Sequence, residues 1–260
     1  MPAFDMHILV AVLGVAVLGG FLGLDRTAAG QFMVSQPIVA GPLTGWVLGD
    51  ASAGFVIGAV LELIWLLDVP VGSFVPANAT VGTVSATGIA VLGMPGGTTL
   101  PVIGFSVLLT AAIGPLTMRA DSLVRTWNSK LIEKAVASTV KGRARAISRA
   151  HLSGLLVFFL KSFFLCLVIV PAGVATVFLL FDHLPGTVHR ALALFVKLLP
   201  IVGASLVARK LSIKEFDLFV LIGFVIAAVF GLLIPVPSLI ILLLAVISGW
   251  IGARYSEHRS

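Results

Sequence analysis

Glu62 stands alone as a charge in the apolar run FVIGAVLELIWLL, residues 55–67. Facing lipid, such a carboxylate costs roughly 2.5–3.5 kcal/mol on insertion scales. It therefore serves a function, or it answers backbone N–H groups freed where a helix breaks. The neighbouring polar side chains between Gln36 and Gly88 are amides, carboxylates and hydroxyls: Gln36, Asp68, Ser73, Asn78 and Thr80. Such groups donate to and accept from the many hydroxyls of a sugar. Covalent chemistry has no comparable set. His7, His151, His183, His189 and His258 are scattered, and the lone Cys166 lies in FFLCLVIV. None has a carboxylate or thiol at nucleophile–base or metal-ligand spacing. A phosphate-cradling GxxxxGK[ST] loop is also missing. The expectation is a carrier, not an enzyme, with no catalytic residue, no metal and no cofactor.

Each of these residues has a structural alternative. Asn78 can turn the corner Pro76-Ala77-Asn78, and Gln36 can mark the boundary before Pro37. Asp68 reads as a helix end or an interface residue, and Asp50 as the N-cap of a helix from Ala51. Lys161 and Lys197 can pair with a buried acid, face a cavity or snorkel to the interface.

The elements that hold these groups belong to a membrane. Of 260 residues, 59% are hydrophobic and 11% charged, against the roughly one-quarter charged share of soluble domains. The fold class expected is an all-α polytopic membrane protein, with transmembrane helices plus broken or re-entrant helices in the N-terminal half. No basic n-region precedes the first apolar run, so targeting is expected through the first membrane segment. His7–Leu24 approaches the ~20 residues of a span. Pro37–Leu48 and Ala53–Leu67 are too short to cross, and Gly49-Asp50 separates them, the pattern of broken helices. Gly54 and Gly58 form a GxxxG packing face. From Gly72 to Thr87 the chain is expected to be irregular. Thr98–Met118 reads as a span with Pro101 and Pro115 at kinks or boundaries.

Eight Lys/Arg lie between Arg119 and Arg149 against Asp121 and Glu133, so this stretch is expected inside the cell. Its Leu123, Trp127, Leu131 and Ala135 form a stripe, which reads as an amphipathic helix on the bilayer surface or a partner, or as a solvated connector. The net charge of +6 gathers there without interleaved aromatics, so no nucleic acid is expected. Leu152–Phe181, Ala191–Ala208, Phe216–Ile234 and Ser238–Gly252 are further apolar runs. The domains expected are 1–118, membrane-embedded with the sugar site; 119–150, basic and cytoplasmic; and 151–260, transmembrane.

PIVAGPLTGWVLGD (37–50), then G-x-x-LELIWL (58–66), then VPVGS-x-x-P-x-NA (69–79) resemble the IIC subunits of mannose/fructose/sorbose-type bacterial phosphotransferase systems. The resemblance is densest over Leu24–Gly88 and extends, more loosely, over most of the chain. It implies a multi-pass permease subunit of the bacterial inner membrane that binds and translocates a sugar together with a IID membrane subunit. Separate IIA and IIB phosphocarriers then bring the phosphoryl group, and IIC–IID units assemble as a trimer with a mobile core against a scaffold. On the family pattern Glu62 occupies the motif carboxylate. Asn78 falls where some members carry Asp, and Gln36 where some carry Arg. Gln36, Glu62 and Asn78 are accordingly the expected substrate-binding residues, with no phosphorylation site on this chain. Two alternatives remain: a secondary transporter or channel with Glu62 as its ion or proton site, and a sensory phosphotransferase subunit that moves little sugar.

Overall fold

The computed structural model describes residues 6–26, 28–66, 75–139 and 145–211. Asp68, Ser73 and the apolar runs 216–234 and 238–252 lie outside the described residues. The chain divides into compact units Met1–Val207 and Ala208–Ser260, and the architecture below is that of the first. Among the described residues there are helices and no strand: the chain is an all-α membrane protein.

Helix α1 (Met6–Asp25) is apolar from Ile8 to Leu24 and ends in Asp25. Helices α2 (Pro37–Leu48) and α3 (Ala51–Trp65) follow as a tight pair. Pro37 opens α2, where its missing N–H is no loss, and Gly49 closes it in the left-handed conformation at φ 88°. Asp50 then caps α3, its Oδ1 accepting from the Ala53 N–H at 2.9 Å. The two helices close backbone to backbone. A Cβ on Gly41 would strike the Gly54 carbonyl and the Gly58 backbone, and one on Gly54 would strike Gly41 and Gly45. The Gly54/Gly58 face thus meets a second small-residue face on α2.

Helix α4 (Ala79–Leu92) corrects the expectation of an irregular segment over its own length. It is buried at every position from Ala79 to Ala90 and touches α1, α2, α3, α5 and α7. A helix enclosed by five others is packed closely, which suits its run of Ala, Gly, Ser and Thr. Thr83 Oγ1 donates to the Ala79 carbonyl at 2.8 Å, a bond to the helix's own backbone that leaves the outside apolar. What looked too polar for a lipid-facing helix is a helix that meets no lipid.

Helix α5 (Leu100–Ala112) and helix α6 (Gly114–Thr139) meet at a 44° bend with Ile113 between them, Pro115 opening the second. Helix α7 (Arg145–Leu180) runs 36 residues, passes through Pro171 and ends in a 3₁₀ turn at Phe181–His183 before α8 (Gly186–Leu211). Positions 118/119 and 150/151 fall inside α6 and α7. Among the described residues, α1, α7 and α8 are long and apolar enough to cross a membrane, and bent α5–α6 adds a fourth candidate. Helices α2, α3 and α4, of 12, 15 and 14 residues, reach about 18–22 Å, short of the ~30 Å hydrocarbon core. The core packs Val15, Ile57, Val81, Val84, Ile89, Val102, Val170 and Val174 with no exposure above 0%.

Candidate functional site

Three helix starts meet at one end of this bundle. Thr80 Oγ1, in the first turn of α4, donates to the Ser35 carbonyl just before α2 at 2.9 Å. The Asn78 N–H donates to Thr117 Oγ1, in the first turn of α6, at 3.0 Å. Helix starts carry unpaired N–H groups and the positive end of the helix dipole, so carboxylates and side-chain oxygens collect there.

Gln36 is the N-cap of α2, half-buried, with extended backbone and no side-chain capping bond. Glu62 does the capping instead: its Oε2 accepts from the Ile38 N–H at 3.1 Å across the α2–α3 pair. The carboxylate that looked costly thus sits against a helix start. The structural alternative for Glu62, a partner for freed backbone N–H groups, holds in this conformation. Gln36 and Glu62 are brought together at the first turn of α2. Asn78 is not joined to them directly. It is buried at 4% exposure, and its Oδ1 caps α4 through the Val81 N–H at 3.1 Å. Its Nδ2 faces Asp121 of α6, 3.5 and 3.4 Å from the two carboxylate oxygens.

Three further residues belong to this end. Asp25, buried at the end of α1, accepts from the N–H groups of Phe32 and Ser35 at 2.6 and 3.0 Å. That grip holds the segment in which Gln31 and Met33 take φ of 56° and 64°, a conformation costing of order 1 kcal/mol or more for such residues. The strained segment delivers the chain to Gln36. Asp121 is buried and ion-paired with Lys161 of α7, so the buried-acid reading of Lys161 is the one realised. In the sequence Asp121 looks like a stray counter-charge in a basic stretch. Its spacing to Asn128 and Ala135 places all three on one helical face, and that face packs on α7. Of the apolar stripe on α6, Leu123 and Trp127 are exposed and Ala135 is buried. An open apolar groove on α6 and α7, lined by Leu123, Trp127, Lys130 and Val157 among others, includes none of Gln36, Glu62 and Asn78. Among the described residues no group of three or more His, Cys, Asp or Glu is placed to hold a metal.

Residues 7–250 match the family described as the PTS system sorbose-specific IIC component. The chain belongs to the sorbose-specific IIC family of the phosphotransferase system. It is accordingly a multi-pass IIC sugar-permease component of the mannose/sorbose branch. The fructose permease IIC component of Bacillus subtilis is 24% identical over 224 residues, 86% of this chain and 79% of its own length. A solved membrane protein shares the fold with a TM-score of 0.75 at 22% identity, covering 97% of this chain and 96% of that one. The mannose transporter ManYZ, solved in complex with microcin E492, shares it at 0.55 with the same identity and coverage. The IIC motif segments 37–50 and 58–66 are the two arms of the glycine-packed pair, and the Asn78-Ala79 end of the third opens α4.

Proposed function

We propose that this IIC component binds its sugar at Gln36, Glu62 and Asn78 and carries it across the bacterial inner membrane. A partner IIB protein phosphorylates the sugar on the inner side. The observation that supports this reading is the meeting of the α2, α4 and α6 starts, where amide, carboxylate and hydroxyl groups gather at one end of an apolar bundle. Gln36 offers an amide not spent on capping, and Glu62 spends one carboxylate oxygen on Ile38. A site of this kind discriminates by leaving buried polar groups unpaired when an analogue lacks a hydroxyl. The names of the fructose and mannose relatives support a hexose as cargo.

The working complex has a IID membrane subunit, cytoplasmic IIA and IIB phosphocarriers and a trimeric arrangement of IIC–IID units. The basic stretch Arg119–Arg149 lies on the inner side. The chain contributes no catalytic residue of its own.

The test is phosphoryl-donor-dependent sugar uptake in cells supplying IIA, IIB and IID. The double variant Glu62→Gln, Asn78→Ala, present in the membrane at wild-type level, is expected to lose at least about tenfold in uptake, the worth of one good hydrogen bond. Undiminished uptake would sink the site assignment. Uptake by this chain alone, driven by an ion gradient, would replace the reading with secondary transport.

A further inference from the structure

Asp121 and Lys161 form an ion pair buried between α6 and α7. Such a pair is poor evidence for stability, since apolar residues of similar volume often serve as well or better. Lys161 stands in the apolar span of α7, where an ionisable group is functional by default. What the pair faces is therefore informative, and it faces Asn78.

The α6 face holds Asn78 at two points. Thr117, one turn before Asp121, accepts the Asn78 backbone N–H at 3.0 Å. Asp121 lies 3.4 and 3.5 Å from Asn78 Nδ2. The opposite end of the amide, Oδ1, is fixed on the Val81 N–H at 3.1 Å. These contacts settle which end of the amide points where: the carbonyl faces the α4 start and the NH₂ faces the carboxylate. An NH₂ group carries two donors, and contacts of 3.4–3.5 Å lie at the outer edge of hydrogen bonding. Asp121 therefore orients the NH₂ without exhausting it. Lys161 balances the Asp121 charge while its ammonium rests over the Phe158 ring, 5.5 Å from the centroid.

We propose that Asp121, held by Lys161, is a positioning residue of the sugar site: it turns the Asn78 amide so that an N–H, not a carbonyl, is offered to a sugar hydroxyl oxygen. The hydroxyl pattern accepted by the permease is set partly from α6 and α7, outside the motif segments. This inference rests on the reading of Asn78 as a sugar-site residue.

Uptake kinetics in the full IIA–IIB–IIC–IID system test it, with hexose and singly deoxygenated hexoses as substrates. Asp121→Asn preserves the shape of the side chain but removes the charge that orders the amide; because it also leaves Lys161 buried without its counter-ion, its membrane level is measured beside its uptake. The expected result is a rise in apparent KM of roughly tenfold, about the loss of one hydrogen bond, with Vmax nearly kept and reduced discrimination against one deoxy analogue. Asn78→Asp alone places two carboxylates face to face and is expected to lose most uptake. The exchange variant Asn78→Asp, Asp121→Asn relieves that repulsion, recovering uptake with a changed analogue ranking.

Wild-type KM and ranking in Asp121→Asn would overturn the proposal, as would a fall in Vmax with KM unchanged, the mark of a merely structural role. If Asp121→Asn fails to reach the membrane, the exchange variant decides. Recovered uptake with altered ranking supports the proposal; no recovery, or recovery with wild-type KM and ranking, overturns it. Asn78→Ala separates the two readings. Unchanged KM there removes the sugar-site reading itself, whereas a raised KM there beside an inert Asp121→Asn removes only the positioning role.

Discussion

The α2–α3 pair and the α6–α7 seam both bring antiparallel helices together, and they do so with opposite chemistry. In the first, Gly41, Gly45, Gly54 and Gly58 remove the side chains, so the contact is backbone on backbone. In the second, polar side chains stand in the contact: Asp121 pairs with Lys161, and Arg125 and Asn128 lie farther along α6. Each seam places one member of the candidate site, Glu62 against the α2 start and Asp121 against Asn78. The glycine seam has no freedom to adjust, because no flexible atom lies in it. The charged seam has spare capacity: Arg125 Nε and Asn128 Oδ1 are buried with no hydrogen-bond partner among the described residues. One seam sets a distance, and the other sets an orientation and a charge balance.

The largest effect is expected where a charge is left alone. Lys161→Met leaves Asp121 buried without its counter-ion and should cost about 3–5 kcal/mol, read as a drop in thermal unfolding temperature of the purified complex. Adding Asp121→Asn should recover nearly all of it, because a neutral seam has no charge to desolvate. A double variant as unstable as the single would show that the ion pair itself holds the helices, and the contrast with the glycine seam would narrow.

Gly54→Ala comes next, at about 1–3 kcal/mol for overpacking, with loss of uptake because Glu62 is carried away from Ile38. Here no partner substitution should rescue, since the atoms struck are the Gly41 carbonyl and the Gly45 backbone. Rescue by any change on α2 would show that the pair can slide.

The smallest effect belongs to the turn between α2 and α3. Asp50 lies below the ordinary carboxylate value of 3.8, chiefly because the Ala53 N–H bonds its ionised form and then because Thr98 does. The Thr98 hydroxyl donates to Asp50 Oδ2 at 2.7 Å, tying the turn to the segment before α5. A lowered folded-state pKa means the contribution is present above 3.8 and fades as pH falls through the lower folded value. Mild acidification should therefore leave the turn intact, and only stronger acid should loosen it. Thr98→Val should move that loosening to higher pH, and Asp50→Asn should abolish the pH dependence. Hydrogen exchange at Ala51–Ala53 against pH reads both. An identical profile in all three proteins would leave the tie without a role.

Local order near the N-terminus was legible in the sequence. The ends of α2, the Asp50 cap and the close approach at Gly54 and Gly58 follow from the rules that place Pro at helix starts and Gly at helix ends and contacts. Helix α4 was not legible, because Thr, Ser and Gly disfavour a helix in water and are tolerated only once other helices enclose them. Asp121 was hidden for a related reason. Amid eight cations nothing in the sequence set it apart, and only its packing on α7 sets it beside Asn78 and Lys161.

By itself the sequence determined the solvent this chain lives in, the breaks in its early helices and the family-bearing residues, since composition, Gly and Pro act locally. Tertiary structure decided what those residues touch. Glu62 is paired with a helix start and Asn78 with a carboxylate 43 positions away. A buried polar group takes its partner from whichever element reaches it, and the bundle alone determines which element that is.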